Sequence, residues 1–143
     1  MKTVYLISCV AKKRLSAVPA EHLYCSPWFQ KAREWVLQEM SQGDKWYILS
    51  AKHGLLNPST MVGPYNETLN KMTRADRLKW AQQVTASLRN LLHGGDTVVI
   101  LAGQKYREFL EPLVLALSCN VSVPMQGMQI GKQMSWLGNS GRS

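Results

Sequence analysis

Ser50, Lys52 and His53 follow directly on the apolar run Trp46 to Leu49, and Gly54 and then Asn57-Pro58 come after them. An apolar segment that breaks so abruptly into a hydroxyl, an ammonium and an imidazole reads as a buried strand leaving a sheet and opening a working loop. His53 placed there is a candidate proton carrier or phosphate ligand. Lys52 is a candidate nucleophile toward a sugar carbon only if desolvation frees its amine. Further on, Pro64-Tyr65-Asn66-Glu67 brings a phenol and a carboxylate into a neighbourhood poor in acids. Glu67 suits a general base or a group that orients water, its plainer role being a loop salt bridge, and Tyr65 suits stacking on a base.

Three other places carry similar chemistry. Ser8 and Cys9 end an apolar run and lead into Lys12, Lys13 and Arg14. The two lysines fit a phosphate or a solvated face, while Cys9 is either reactive or a small buried hydrophobe. Gly103-Gln104-Lys105-Tyr106-Arg107 places a glycine turn where a helix begins, so free backbone N–H groups, the helix dipole and Arg107 would form an anion site. The spacing is not that of a Walker loop. Gln126 and Gly127, after Pro124, combine a turn with a side-chain amide suited to a base edge.

These residues need elements to hold them. Thr3 to Ile7, Lys45 to Ser50, Thr97 to Leu101 and Asn120 to Val123 read as strands. Ser26-Pro27 opens a helix that Gly43-Asp44 stops, with Trp28, Phe29, Ala32, Trp35, Val36 and Met40 along one face. Thr73, with Asp76 three residues on, opens a second helix carrying Leu78, Ala81, Val84, Leu88, Leu91 and Leu92, ended by Gly94-Gly95. A third helix starts near Gln104 and must kink or restart at Pro112, which costs about 3 kcal/mol inside a helix. A short helix, Ile130 to Leu137, closes the chain. Residues 15–24 are expected as a crossing loop and 51–72 as a long, ordered one, because structureless loops of that length are rare in compact domains.

Strands alternating with helices imply a parallel sheet of about four strands between helix layers, with ligands bound beyond the carboxyl ends. The expected unit is one α/β domain over residues 1–137, with 138–143 as a flexible tail. The five tryptophans fall at core-like spacing and read as packing. Lys and Arg outnumber Asp and Glu by 17 to 9, a net charge of +8 that draws polyanions, nucleic acid above all. The three cysteines have no C-x-x-C spacing, which argues against a disulfide framework and a structural zinc. No cofactor, membrane contact or obligate protein partner is expected, and a reducing, cytoplasmic setting fits best, with no signal-peptide pattern at the start.

In order, the motifs S-C-x-x-K-K (Ser8 to Lys13), L-Y-x-S-x-x-F (Leu23 to Phe29), L-S-A-K-H-G-L-L-x-P (Leu49 to Pro58), P-Y (Pro64-Tyr65), L-A-G-x-x-Y (Leu101 to Tyr106) and P-x-x-G-x-x-I-G (Pro124 to Gly131) resemble an uncharacterised family of bacterial and phage proteins. The middle stretch is similar to the YaaA-like peroxide-stress proteins and to a domain of archaeosine synthase. The resemblance implies a three-layer α/β/α sandwich like that of uracil-DNA glycosylases and, through the YaaA-like proteins, DNA binding. The chain departs from the glycosylase pattern: no Asp follows the first strand and no His-Pro-Ser loop follows the fourth.

The expected function is engagement of a nucleobase or nucleotide in nucleic acid, DNA foremost, with a glycosylase-like action on a modified base. Lys12, Lys13 and the stretch Gly103 to Arg107 would hold phosphate, Tyr65 and Gln126 the base, and Glu67 or His53 the attacking water. Two other readings fit the same residues: a DNA-binding module without catalysis, and a small-nucleotide enzyme or sensor.

Overall fold

The computed structural model describes residues 1–140. Its centre is β1 (Thr3–Ser8), whose residues from Val4 onward are all buried. A strand buried on both faces needs neighbours on both edges and helices above and below, which is why its sequence is continuously apolar instead of alternating. β1 pairs in parallel with β3 (Lys45–Ser50) on one side and β6 (Thr97–Leu101) on the other. β7 (Asn120–Ser122) adds in parallel to β6.

The fifth strand corrects the expectation of four parallel ones. β4 (Gly54–Leu56) turns back on β3 and pairs with it antiparallel, Ser50 opposite Gly54, so the sheet is mixed, with order β4-β3-β1-β6-β7. Gly54 at φ +71° allows the reversal, since a residue with a Cβ seldom adopts that conformation. The stretch 51–72 also contains β5 (Met61–Val62) and a 3₁₀ turn (Leu69–Lys71). β5 pairs with β2 (Val18–Pro19), which runs into α1 (Ala20–Leu23), so residues 15–24 are likewise more ordered than a loop.

α2 (Pro27–Glu39) starts as the sequence predicts, with Ser26 Oγ accepting the Phe29 N–H. It packs against α6 (Ile130–Ser140), where the Trp35 and Trp136 rings lie 5.0 Å apart and Trp28 Nε1 donates to Gln133. α6 therefore continues through Gly138, Asn139 and Ser140, which were expected in a flexible tail, because burial of Leu137 against the core carries the helix on. Residues 141–143 of that expected tail lie outside the described part.

α3 (Arg74–Arg89) is capped by Thr73, whose hydroxyl accepts the Asp76 N–H. It packs on α5 (Leu110–Leu115), which follows α4 (Gln104–Arg107) after a break. Pro112 sits in the first turn of α5, where its missing N–H has no intrahelical partner to lose. The restart predicted from proline is the one observed.

Candidate functional site

The four parallel strands of the sheet deliver their carboxyl ends to one edge, and the chain order around β1 decides where a crevice opens there. From β1 the chain goes to β3 on one side, then crosses to β6 on the other. The connections leaving β1 and β6 thus diverge in opposite directions, the switch point at which open α/β sheets form ligand crevices. A cleft of about 940 Å³ lies at that point. Its walls are residues 8–11 and Lys13 after β1, 103–106 after β6, and a third segment from Tyr65 to Lys71.

Local pairing fixes each wall. The segment after β1 is held by the Lys13–Tyr24 bridge, by Arg14 N–H donating to Leu23 and by Cys25 N–H donating to Lys12. This backbone clamp presents Lys13 Nζ over the Tyr65 ring, 4.4 Å from its centroid, and 5.8 Å from that of Tyr24. Tyr65 is fixed in turn by a buried hydroxyl chain. His53 N–H donates to Ser50 Oγ, Ser50 Oγ donates to the Tyr65 hydroxyl at 2.8 Å, and the Tyr65 and Tyr24 hydroxyls share a 2.6 Å hydrogen bond. The Ser50 carbonyl accepts from Trp80 Nε1, tying the same strand end to α3. On the β6 side, the Tyr106 hydroxyl lies 3.4 Å from Cys9 Sγ and its ring meets Trp80 edge-on.

Burial sets the protonation states. It is the main force raising Tyr65 and Tyr106 above the ordinary phenol range and Tyr24 to about 12. All three phenols therefore stay protonated near neutrality and serve as donors, not bases. Burial lowers Lys13, with Cys9 and Glu67 pulling the other way. Glu67 is the one carboxylate among the residues lining the cleft, against three lysines, Lys13, Lys71 and Lys105. The Glu67 carboxylate thus stands alone among cations, in a positive surround that attracts anions.

Of the residues expected to form the site, Ser8, Cys9, Lys13, Tyr65, Glu67, Gly103, Gln104 and Tyr106 come together here. Others do not. His53 is exposed and packs edge-on against Tyr65, and Lys52 is exposed beside it; neither lines the cleft. Lys12 is exposed and does not line it either, and Ser50 is buried behind Tyr65 as part of its support.

Arg107 is a correction. Its guanidinium is buried, paired with Glu111 at 2.9 Å and bonded to the Ala102 carbonyl and to Gln104 Oε1, so its charge is already matched by a carboxylate and three of its five N–H donors are engaged away from the cleft. The helix-dipole contribution expected at Gly103 is likewise small, because α4 is a single turn. Gln126 and Gly127 line a separate niche of about 150 Å³ on the other side of Gly103 and Gln104.

Thr68, Asn70 and Lys71 enter the cleft wall without having been singled out, and Asn66 and Lys105 come with the stretches that were. The signal for Thr68 and Asn70 was a Thr-x-Asn pattern: Thr68 Oγ1 accepts the Asn70 N–H and starts the 3₁₀ turn that carries Lys71. No group of three or more His, Cys, Asp or Glu side chains suited to a metal ion occurs among the described residues, and no helix there is long and apolar enough to cross a membrane.

Comparison with known proteins places the chain. No solved structure matches it. It is 31% identical over 127 residues to the uncharacterized protein YfjM of Bacillus subtilis (strain 168), the match covering 80% of this chain and 78% of that one. Residues 4–139 match the model of a family of unknown function, DUF6884. With nearly its whole length so matched, the chain belongs to the DUF6884 family.

Proposed function

We propose that the protein takes a nucleotide of DNA into the cleft between the ends of β1 and β6 and hydrolyses its N-glycosidic bond, acting on a modified base. The observation that carries this reading is the lone carboxylate of Glu67 in a cleft otherwise lined by cations, amides and protonated phenols. Lys13, Lys71 and Lys105 supply phosphate contacts, and the net charge of +8 draws the polyanion. The volume is far more than a bare anion needs and admits a sugar with its phosphates. Glu67 directs water at the anomeric carbon as the sugar gains oxocarbenium character, and takes the proton that water loses. The base leaves with its bonding electron pair and is protonated. The pairing of α2 with α6 and of α3 with α5 supports a three-layer sandwich of the glycosylase kind as the frame.

The test uses DNA oligonucleotides that each carry one deaminated, alkylated or oxidised base, with free base measured by mass spectrometry. Base release is expected from at least one of them, and Glu67→Gln should slow it about 100-fold or more while leaving DNA affinity nearly unchanged. Release at an undiminished rate from the variant removes Glu67 from the chemistry. Binding without any release supports a DNA-binding module instead, a role favoured by the exposure of Glu67. In either case affinity should fall steeply with log salt; a slope equal to one phosphate points to a mononucleotide ligand.

A further inference from the structure

We propose that the niche beside the cleft, between the end of β6 and the turn after β7, is a base-recognition subsite for a single six-membered heterocycle, a pyrimidine and not a purine. This rests on the nucleotide reading of the main cleft, whose wall at Gly103 and Gln104 is also a wall of the niche. A nucleotide at that seam has its sugar and phosphate on the lysine side and its base on the other.

Three observations support the assignment. The first is size. The niche measures about 150 Å³, and a cavity of about that volume accommodates one benzene-sized ring. Ile100, Leu101, Val123, Met125 and Met128 supply apolar contacts for the faces of such a ring, within a lining whose exposed surface is mainly polar.

The second is charge. Arg107 is the one ionisable side chain lining the niche; Glu111 pairs its charge, and Glu111, Ala102 and Gln104 together take three of its five N–H donors. A site whose single charge is already paired with a carboxylate favours a neutral ligand, whereas the lysines lie across the seam. The two cavities thus divide a nucleotide by polarity.

The third is hydrogen-bonding capacity. Gln133 is spent, since its Oε1 accepts from Trp28 Nε1 and its Nε2 donates to the Met128 carbonyl. Gln104 Oε1 must face Arg107, which has only donors, so its NH₂ is left as a donor toward the cavity wall. Gln126 makes no side-chain hydrogen bond among the described residues, and offers one donor and one acceptor together. A side-chain amide of that kind pairs with a base edge presenting an adjacent acceptor and donor.

The probe is a short single-stranded oligonucleotide that is abasic throughout, compared with the same strand carrying one central thymine, cytosine, adenine or guanine. Affinity of the abasic strand reads the cleft, and the gain from the added base reads the niche. Thymine or cytosine should tighten binding about tenfold, and adenine or guanine should not. Gln126→Ala, at an exposed position, should abolish that gain and leave the affinity of the abasic strand as it was. Equal gains from purines and pyrimidines, or a gain that survives Gln126→Ala, overturn the subsite and leave the cleft reading intact. An abasic strand that does not bind overturns the cleft reading, and the subsite with it.

Discussion

Tyr65 is the residue on which the cleft depends most. Its hydroxyl receives Ser50 and bonds Tyr24, its ring carries Lys13, and Glu67 follows two positions on. Tyr65→Phe leaves two buried hydroxyls short of a partner and should cost about 1–3 kcal/mol in denaturant unfolding, with an unchanged dependence on denaturant concentration. Lys13 makes a second prediction. Because burial lowers its pKa, its charge is lost on raising pH before that of an ordinary lysine. Affinity for a phosphorylated ligand should decline from below the usual lysine range, and Lys13→Arg should move that decline to higher pH. Much of this site was legible in the chain because Ser8, Cys9, Gly103 and Gln104 each end or follow a continuously apolar strand. His53 and Arg107 were not, since a type of side chain does not disclose its direction. Arg107 turns toward Glu111 one helical turn on, and His53 packs on Tyr65 instead of entering the cleft.

Among the elements, β4 was the one concealed. It has three residues, too few for alternation to register, and it follows directly on Lys52 and His53, which read as loop. The one local mark it leaves is Gly54, whose positive φ permits the chain to reverse. Gly54→Ala should lower stability by about 1–2 kcal/mol, read as a fall in thermal midpoint. The strain is conformational, because a Cβ there meets only Val84 Cγ2 at 3.9 Å, an ordinary contact. The capped starts of α2 and α3 and the proline restart at α5 were plain in the sequence, because Ser26, Thr73 and Pro112 act through backbone groups within three residues of themselves. Local chemistry leaves local marks.

At the scale of the molecule, the position of the cleft follows from strand order, and order is set by long-range pairing that no short pattern encodes. Alternating elements implied a sheet; they did not say that β6 would lie beside β1 and not beside β3. One ion pair closes this frame. Asp96, 3% exposed, accepts from the Lys2 ammonium at 2.8 Å, from the Lys2 N–H and from the His93 N–H, joining the start of β1 to the turn before β6. The hydrogen bond from Lys2 is the largest cause holding its pKa down, from 3.8 to about 2. Its contribution is therefore fully present above the ordinary carboxylate range and disappears as pH falls toward about 2. Asp96→Asn should cost on the order of 2 kcal/mol near neutrality and flatten the acid limb of the stability curve over that window.

The outermost strands, β4 and β7, have three residues each. Such stubs expose too little unpaired backbone for a second polypeptide to zip onto, so the concentrated protein should resist fibril formation. Copies of this basic chain brought close together would then crowd against one another without knitting.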